Sequence, residues 1–454
     1  MTTSSPRPAR RTLDDSALSE AEAALREANL RFARAHPGEH EGRQPVHTVY
    51  GGAQLFAADT TQKLGAVALR ALDEYAPTEN ALGAALGLST HPSLHRLYAR
   101  LADKLRREAV EDYRIDFEDG YGNRSDAEED HHSGVVAEEL ARGMRQGSLP
   151  AFIGLRVKPL TEELRHRSVR TLDLVLTALV DSGGLPPGWM ITLPKVTIAE
   201  QVEYFVAVLQ RLERSLGLGD GTLTFEVMVE TPQIILDSDG RSLLPRLVAA
   251  GDGRIAGAHF GTYDYTASCN ITAAYQRMQH PACEFAKQVM QVALAGTGVW
   301  LSDGSTTVMP VAIHKPAPGQ QLTPEQRAAN VASVHGAWRM HFDDVRHSLA
   351  GGFYQGWDLH PAQLVSRYAA LYSFFLEGID AAGVRLANFV NKAAQATLVG
   401  DVFDDAATGQ GLLNFFLRGI NSGAVTEEEA LTMTGLTADE FRSRSFVTIL
   451  KGRK

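Results

Sequence analysis

A chain of 454 residues, 44% of them hydrophobic, holds enough apolar material for a barrel-sized unit plus a smaller one. A formal net charge of -10 and a pI near 5.9 exclude the basic face a nucleic-acid binder needs, while an anionic small substrate stays open because one Arg, Lys or metal ion can dominate a cleft. Two cysteines, Cys269 and Cys283, supply neither a disulfide framework nor a Cys-rich zinc site, and they fit a reducing cytoplasm.

The first twenty residues carry basic side chains with no apolar run behind them, so residues 1–44 are expected to be a disordered lead into a helix rather than a secretory signal. No apolar stretch approaches the roughly 20 residues that cross a bilayer, and a soluble cytoplasmic protein is expected. From about residue 46 onward, short β-branched runs alternate with helical patterns. The expected strands are 45–50, 113–118, 152–157, 190–195, 223–230, 255–264, 298–303 and 354–360. Between them lie segments such as "HPSLHRLYARLADKLRREA", "TEELRHRSVRTLDLVLTALVDSG" and "TIAEQVEYFVAVLQRLERSLG", apolar at three- and four-residue steps and charged on the other face. Eight such units in series predict an α/β fold, a closed (β/α)8 TIM barrel over 45–375, with an open doubly wound sheet as the alternative. Beyond it only helical patterns remain, so 376–454 is expected to be a C-terminal helical appendage; Thr426 and Glu429 have the spacing of a capping box.

Asp116, Glu118, Asp119, Arg156, Lys195, Glu230, Asp264 and Asp303 fall at or just past the C-terminal ends of the expected strands. In a barrel those ends converge on the mouth where active sites are built. "YRIDFEDGYGN" crowds three carboxylates into four residues, which is tolerated only beside positive charge or in water. Alternation puts Asp116 and Glu118 on one face and Ile115, Phe117 and Asp119 on the other. Glu230 and Asp264 would end neighbouring strands, within reach of one hard cation such as Mg2+, which one or two carboxylates hold while water and substrate oxygens complete the octahedron. Asp116, Glu118 and Asp119 would then accept hydrogen bonds from the ion's waters. Arg156 could grip a substrate carboxylate in bidentate fashion. Lys195 has several readings: neutralising the mouth, binding an anion, forming a Schiff base, or making a plain structural ion pair.

Among the histidines there is no "HExxH" or comparable ligand spacing. His131 and His132 are expected to be solvated on a loop, and His47, His259 and His360 to be satisfied structural groups. No phosphate loop or nucleophile elbow is present, and "GLGDG" ahead of a strand reads as a turn. The loop 301–318 carries His314 and Lys315 within possible reach of the mouth, a solvated loop being the plainer reading.

In order and spacing, "DFEDGYG", "GLRV", "LPKV", "VETPQ", "FGTYDY" and "GFYQGWDLHPAQL" resemble the HpcH/HpaI aldolase and citrate lyase β-subunit superfamily, built on a phosphoenolpyruvate/pyruvate-type TIM barrel. The resemblance covers about residues 45–370. It implies Mg2+, or Mn2+ in its place, ligated by Glu230 and Asp264, with Asp116, Glu118 and Asp119 supporting the metal's waters and Arg156 as the third-strand arginine. "VFDDAATGQGLL" (402–413) is similar to the segment of malate synthases that carries a catalytic aspartate, and Asp405 is the matching position. The chain departs from the lyases at its first strand, "PVHTVYGGAQLF" standing where they have Arg-Ser and Val-Pro-Gly, which leaves use of a coenzyme A thioester open. It departs from the pyruvate aldolases too, with Glu118-Asp119 in place of their Glu-His.

The expected activity is Mg2+-dependent making or breaking of a carbon–carbon bond next to a small 2-oxo acid, with Arg156 fixing the acid and Asp405 moving the proton. The alternatives are a phosphoenolpyruvate-handling transferase on the same barrel and a non-catalytic 2-oxo acid binding protein. A homo-oligomer is expected, with neither nucleic acid nor membrane as partner.

Overall fold

The computed structural model describes residues 18–40, 42–391, 397–399, 402–404 and 406–453. Eight parallel strands close into a barrel: β1 (Thr48–Gly52), β2 (Asp112–Asp116), β3 (Phe152–Arg156), β4 (Trp189–Leu193), β5 (Phe225–Val229), β6 (Ile255–Phe260), β7 (Trp300–Ser305) and β8 (Gln355–Asp358), each hydrogen-bonded to the next and β8 to β1. All eight coincide with expected strands, shifted or shortened by a few residues. The trimming is mostly at the C-terminal ends, where turns and helix starts take over. "FEDG" after β2 is a turn, and Asp264 lies in the first turn of the short helix Thr262–Ser268.

The two faces of the sheet differ in chemistry. Outward residues Ile115, Leu155, Ile191, Val227 and Ala258 are almost fully buried beneath the surrounding helices. Each contributes roughly 1.5–3 kcal/mol by leaving water, less for alanine. The inward face is filled largely by polar groups. The Arg114 guanidinium crosses from β2 to donate to Glu226 on β5 (Nε to Oε1 3.0 Å, Nη2 to Oε2 2.9 Å) and also pairs with Asp112. His259 Nε2 lies 3.0 Å from Glu226 Oε2, and Trp357 Nε1 donates to His259 Nδ1 at 3.3 Å. His47 and His341 both meet the buried Asp358 at 3.0 Å, on the outer side of β8. His259 is therefore a satisfied structural group, and His47 a structural one, accepting from Glu111 N at Nε2 (3.0 Å) with Nδ1 in ion-pair contact with Asp358. His131 and His132 lie inside the helix Asp126–Gln146 instead of on a loop, and His132 Nδ1 is 2.7 Å from Tyr121 Oη.

The helix Gln363–Asn391 runs unbroken through residue 375, so the boundary between barrel and appendage drawn there falls inside one helix. It descends alongside the barrel, with Tyr368 Oη donating to Ala109 O (2.9 Å) just ahead of β2. The helix Ala406–Asn421 returns to the same end. Asn421 brackets Gln44, accepting from its N–H (3.0 Å) and donating to its carbonyl (2.7 Å), four residues ahead of β1. The appendage thus meets its own barrel at the face opposite the mouth. The expected capping box forms, Glu429 N donating to Thr426 Oγ1 at 3.2 Å and Thr426 N to Glu429 Oε2 at 2.8 Å. Among the described residues no helix is long and apolar enough to cross a membrane.

Candidate active site

The geometry at the mouth starts from strand register. Asp116 and Arg156 are direct partners on β2 and β3. Arg156 Nε donates to Asp116 Oδ1 at 2.7 Å and Nη2 bonds Oδ2, while the amides of Glu118 (2.9 Å) and Gly120 (2.7 Å) donate to the same two oxygens. Asp116 is consequently saturated. It shapes the turn that follows β2 and has little left to offer a metal's waters, contrary to the expectation for it. Arg156 spends its Nε/Nη2 edge on Asp116, which leaves the outer Nη1/Nη2 edge as the one a substrate carboxylate would meet. Its remaining nitrogen, Nη1, lies 3.1 Å from Glu118 Oε2 and 3.8 Å from Asp119. The guanidinium rests over the Tyr50 ring, 4.8 Å from its centroid.

Glu118 is nearly buried, and Lys195 Nζ bonds its Oε1. Its Oε2 has no partner in hydrogen-bond geometry despite the nearby guanidinium. Lys195 Nζ also lies 3.2 Å from both oxygens of Asp119 and 3.9 Å from Asp264 Oδ1. Burial works against the ammonium, but Glu118, Glu230 and Asp264 together outweigh it and hold Lys195 above its ordinary range. The contacts with Glu118 and Asp119 match the ion-pair and neutralising readings of Lys195.

Lys195 has φ 50°, a left-handed conformation uncommon outside glycine, and this aims its main-chain N–H at Glu230 Oε1, 2.7 Å away. One residue so ties two carboxylates, with its backbone on Glu230 and its side chain on Glu118. Glu230, just past β5, is 1% exposed. Burial first, then Asp264 and Glu118, push its carboxyl up to about 8. The Asp264 and Asp119 side chains are 45% and 58% exposed, so the cluster opens to solvent on that side. Gly261 makes the close approach of β5 and β6 possible, since a Cβ there would lie 2.5 Å from Glu230 Cβ and 2.7 Å from its Oε2.

Glu118, Asp119, Arg156, Lys195, Glu230 and Asp264 therefore share one cleft. Asp303 does not join them. It sits within β7 and faces outward, its Oδ2 3.1 Å from Lys287 Nζ and accepting from Ser348 Oγ (2.6 Å), because β7 extends to Ser305 and leaves Asp303 mid-strand. The segment 301–305 is likewise strand rather than loop. His314 pairs through its main chain with the Asn330 side chain (2.8 and 2.9 Å), and Lys315 is exposed. His360 Nδ1 accepts from Ala362 N at 3.2 Å, a local turn contact. Asp405 lies outside the described residues. Tyr50 and Gly261 escaped the sequence reading. Alternation from Thr48 points Tyr50 inward, and that was the available signal.

Two carboxylates beside an acceptor that makes an ion pair but no hydrogen bond fit a Mg2+ ion: Glu230 and Asp264 as ligands, and Glu118 Oε2 as acceptor for a bound water. Among the described residues no group of three or more His, Cys, Asp or Glu forms a protein-only cage. The ion expected here draws most of its ligands from water and substrate.

Among solved structures, a citrate lyase from Burkholderia xenovorans LB400 is similar over 86% of this chain and 96% of its own, at 18% identity and TM-score 0.55. The Haloferax volcanii malate synthase magnesium/glyoxylate complex covers 91% and 98% at 14% identity and TM-score 0.45. The citrate lyase β subunit complexed with oxaloacetate and magnesium from M. tuberculosis covers 73% and 98% at 14% and 0.38. At these identities the first likeness establishes the barrel fold and nothing finer. No curated protein matches the chain in sequence. The profile of the family described as Domain of unknown function (DUF6986) matches residues 25–449, and the chain belongs to that family.

Proposed function

We propose that this protein is a Mg2+-dependent carbon–carbon lyase, of aldolase or citrate lyase type, acting on a small 2-oxo acid or its aldol or Claisen adduct. The carrying observation is the buried Glu230 carboxylate beside Asp264 at the barrel mouth, with Lys195 and Glu118 gathered around them. Bound Mg2+ would supply positive charge where the keto and carboxylate oxygens gain negative charge during bond cleavage or formation. The Lys195 amide orients Glu230. Arg156 acts as a positioning residue, locking Asp116 and the turn that presents Glu118. The Lys195 ammonium offsets the carboxylate charge and admits an anionic substrate.

Ligand carboxylates are poor bases, so a proton on carbon needs another acceptor, and Asp405 is our candidate. The segment that carries it would fold over the mouth of its own barrel or of a neighbouring subunit's. Calorimetry with a panel of 2-oxo acids, with and without Mg2+, run beside product assays with candidate acceptors tests the reading. Metal-dependent binding with turnover supports it, and binding with no product from any acceptor would point to a non-catalytic binding protein.

A further inference from the structure

The helix Ser19–Ala35 buries none of its residues against the rest of the chain. Most helical stability in proteins comes from packing an amphipathic face, and this helix has none within its own chain, so a partner is to be looked for. Six apolar residues, Leu18, Ala21, Leu25, Ala28, Phe32 and Ala35, recur at alternating three- and four-residue steps, the a/d seam of a coiled coil, with Leu30 the one large apolar side chain off it. Leu18, Leu25 and Phe32 are 42%, 61% and 64% exposed. Beyond the helix the chain is tied down, with Gly38 N donating to Gly296 O at 2.9 Å, so the helix projects from a fixed base.

Charge and size along the seam name the occupant. The first turns carry Glu20 and Glu22 and the last turns carry Arg31 and Arg34. A second copy laid antiparallel brings acidic half to basic half and opposes the two helix dipoles. With the twofold axis between Arg26 and Glu27, Leu25 meets Ala28, Phe32 meets Ala21 and Leu18 meets Ala35 of the second copy. Every layer then sets a large side chain against alanine, which lets the helices approach closely. A parallel pair would stack leucine on leucine, alanine on alanine and like charge on like charge. We propose that Ser19–Ala35 is a dimerisation arm that pairs antiparallel with the same helix of a second copy, independently of the chemistry at the barrel mouth.

Sedimentation equilibrium on the full-length protein tests this. Wild type is expected at an even multiple of the chain mass, and Leu25→Glu/Phe32→Glu at half the wild-type mass with an unchanged circular dichroism melting curve for the barrel. Glu20→Arg/Glu22→Arg and Arg31→Glu/Arg34→Glu should each halve the mass alone and restore it when mixed. A monomeric wild type, an undiminished mass in Leu25→Glu/Phe32→Glu, or a mixture that fails to reassociate would overturn the proposal.

Discussion

Replacing Gly261 by alanine tests the metal site without replacing a charged group. Gly261 has φ -95° and ψ 86°, a backbone open to any residue, so the substitution acts only through its methyl group. That methyl would stand 2.5 Å from Glu230 Cβ and 2.7 Å from Oε2, where contacts normally begin near 3.5 Å. Something must therefore move by about 1 Å, and Glu230, 1% exposed and held by the Lys195 amide, has no free space to take. Overpacking of this kind costs about 1–3 kcal/mol of stability. A ligand displaced by about 1 Å should weaken Mg2+ binding roughly 10–100-fold. Gly336→Ala serves as control, since a Cβ there meets nothing within 4 Å in the helix Pro324–Ala350. It should stabilise by about 0.5–1 kcal/mol and leave metal affinity alone. Thermal unfolding and Mg2+ calorimetry on both variants decide the matter. Wild-type affinity in Gly261→Ala would refute the reasoning.

The left-handed backbone at Lys195 inverts the usual order of alanine and glycine: Lys195→Gly should be more stable than Lys195→Ala by about 1 kcal/mol, read as a melting difference of about 1 °C in a chain of this length. Equal or reversed stabilities would remove the strain argument. In the barrel interior, Arg114→Met should cost about 3–5 kcal/mol by stranding Glu226 and Asp112 without their cation, and the double variant Arg114→Met/Glu226→Gln should recover part of it in denaturant titrations. Asp405→Asn should leave Mg2+ and 2-oxo acid affinity nearly unchanged while lowering turnover by about 100-fold. If the side chain merely caps the following helix, the rate survives and about 1 kcal/mol of stability is lost.

The barrel was readable because a parallel sheet covered by helices needs β-branched runs at regular intervals, and these stand out between amphipathic segments. The carboxylates near the strand ends were readable for the same reason. What failed was the direction of individual side chains. Asp303 was assigned to the mouth by a strand end placed two residues early. The pairing of Asp116 with Arg156 depends on register between β2 and β3, which no single-strand pattern contains. The charged barrel interior is half visible in the sequence, since alternation along "FEVMVE" puts Glu226, Met228 and Glu230 on one face. Its other half, Arg114 crossing from β2, is a contact between strands that are not neighbours.

The central claim is a Mg2+ site at Glu230 and Asp264, and the most direct measurement is Mg2+ calorimetry on wild type and Glu230→Gln at about pH 6.5 and about pH 8.5. Burial, Asp264 and Glu118 hold the Glu230 carboxyl up at about 8 in the metal-free protein. A carboxyl raised in this way favours the folded state below its unfolded value near 4.5, and that contribution is lost as pH climbs to about 8. Mg2+ competes with the same proton. Wild-type affinity should therefore rise roughly tenfold or more between the two pH values and level off above, with proton release on binding at the lower one. Glu230→Gln should bind too weakly to measure at either pH and should lose the stability slope. Tight Mg2+ binding by Glu230→Gln, or none by wild type at the higher pH, would contradict the account.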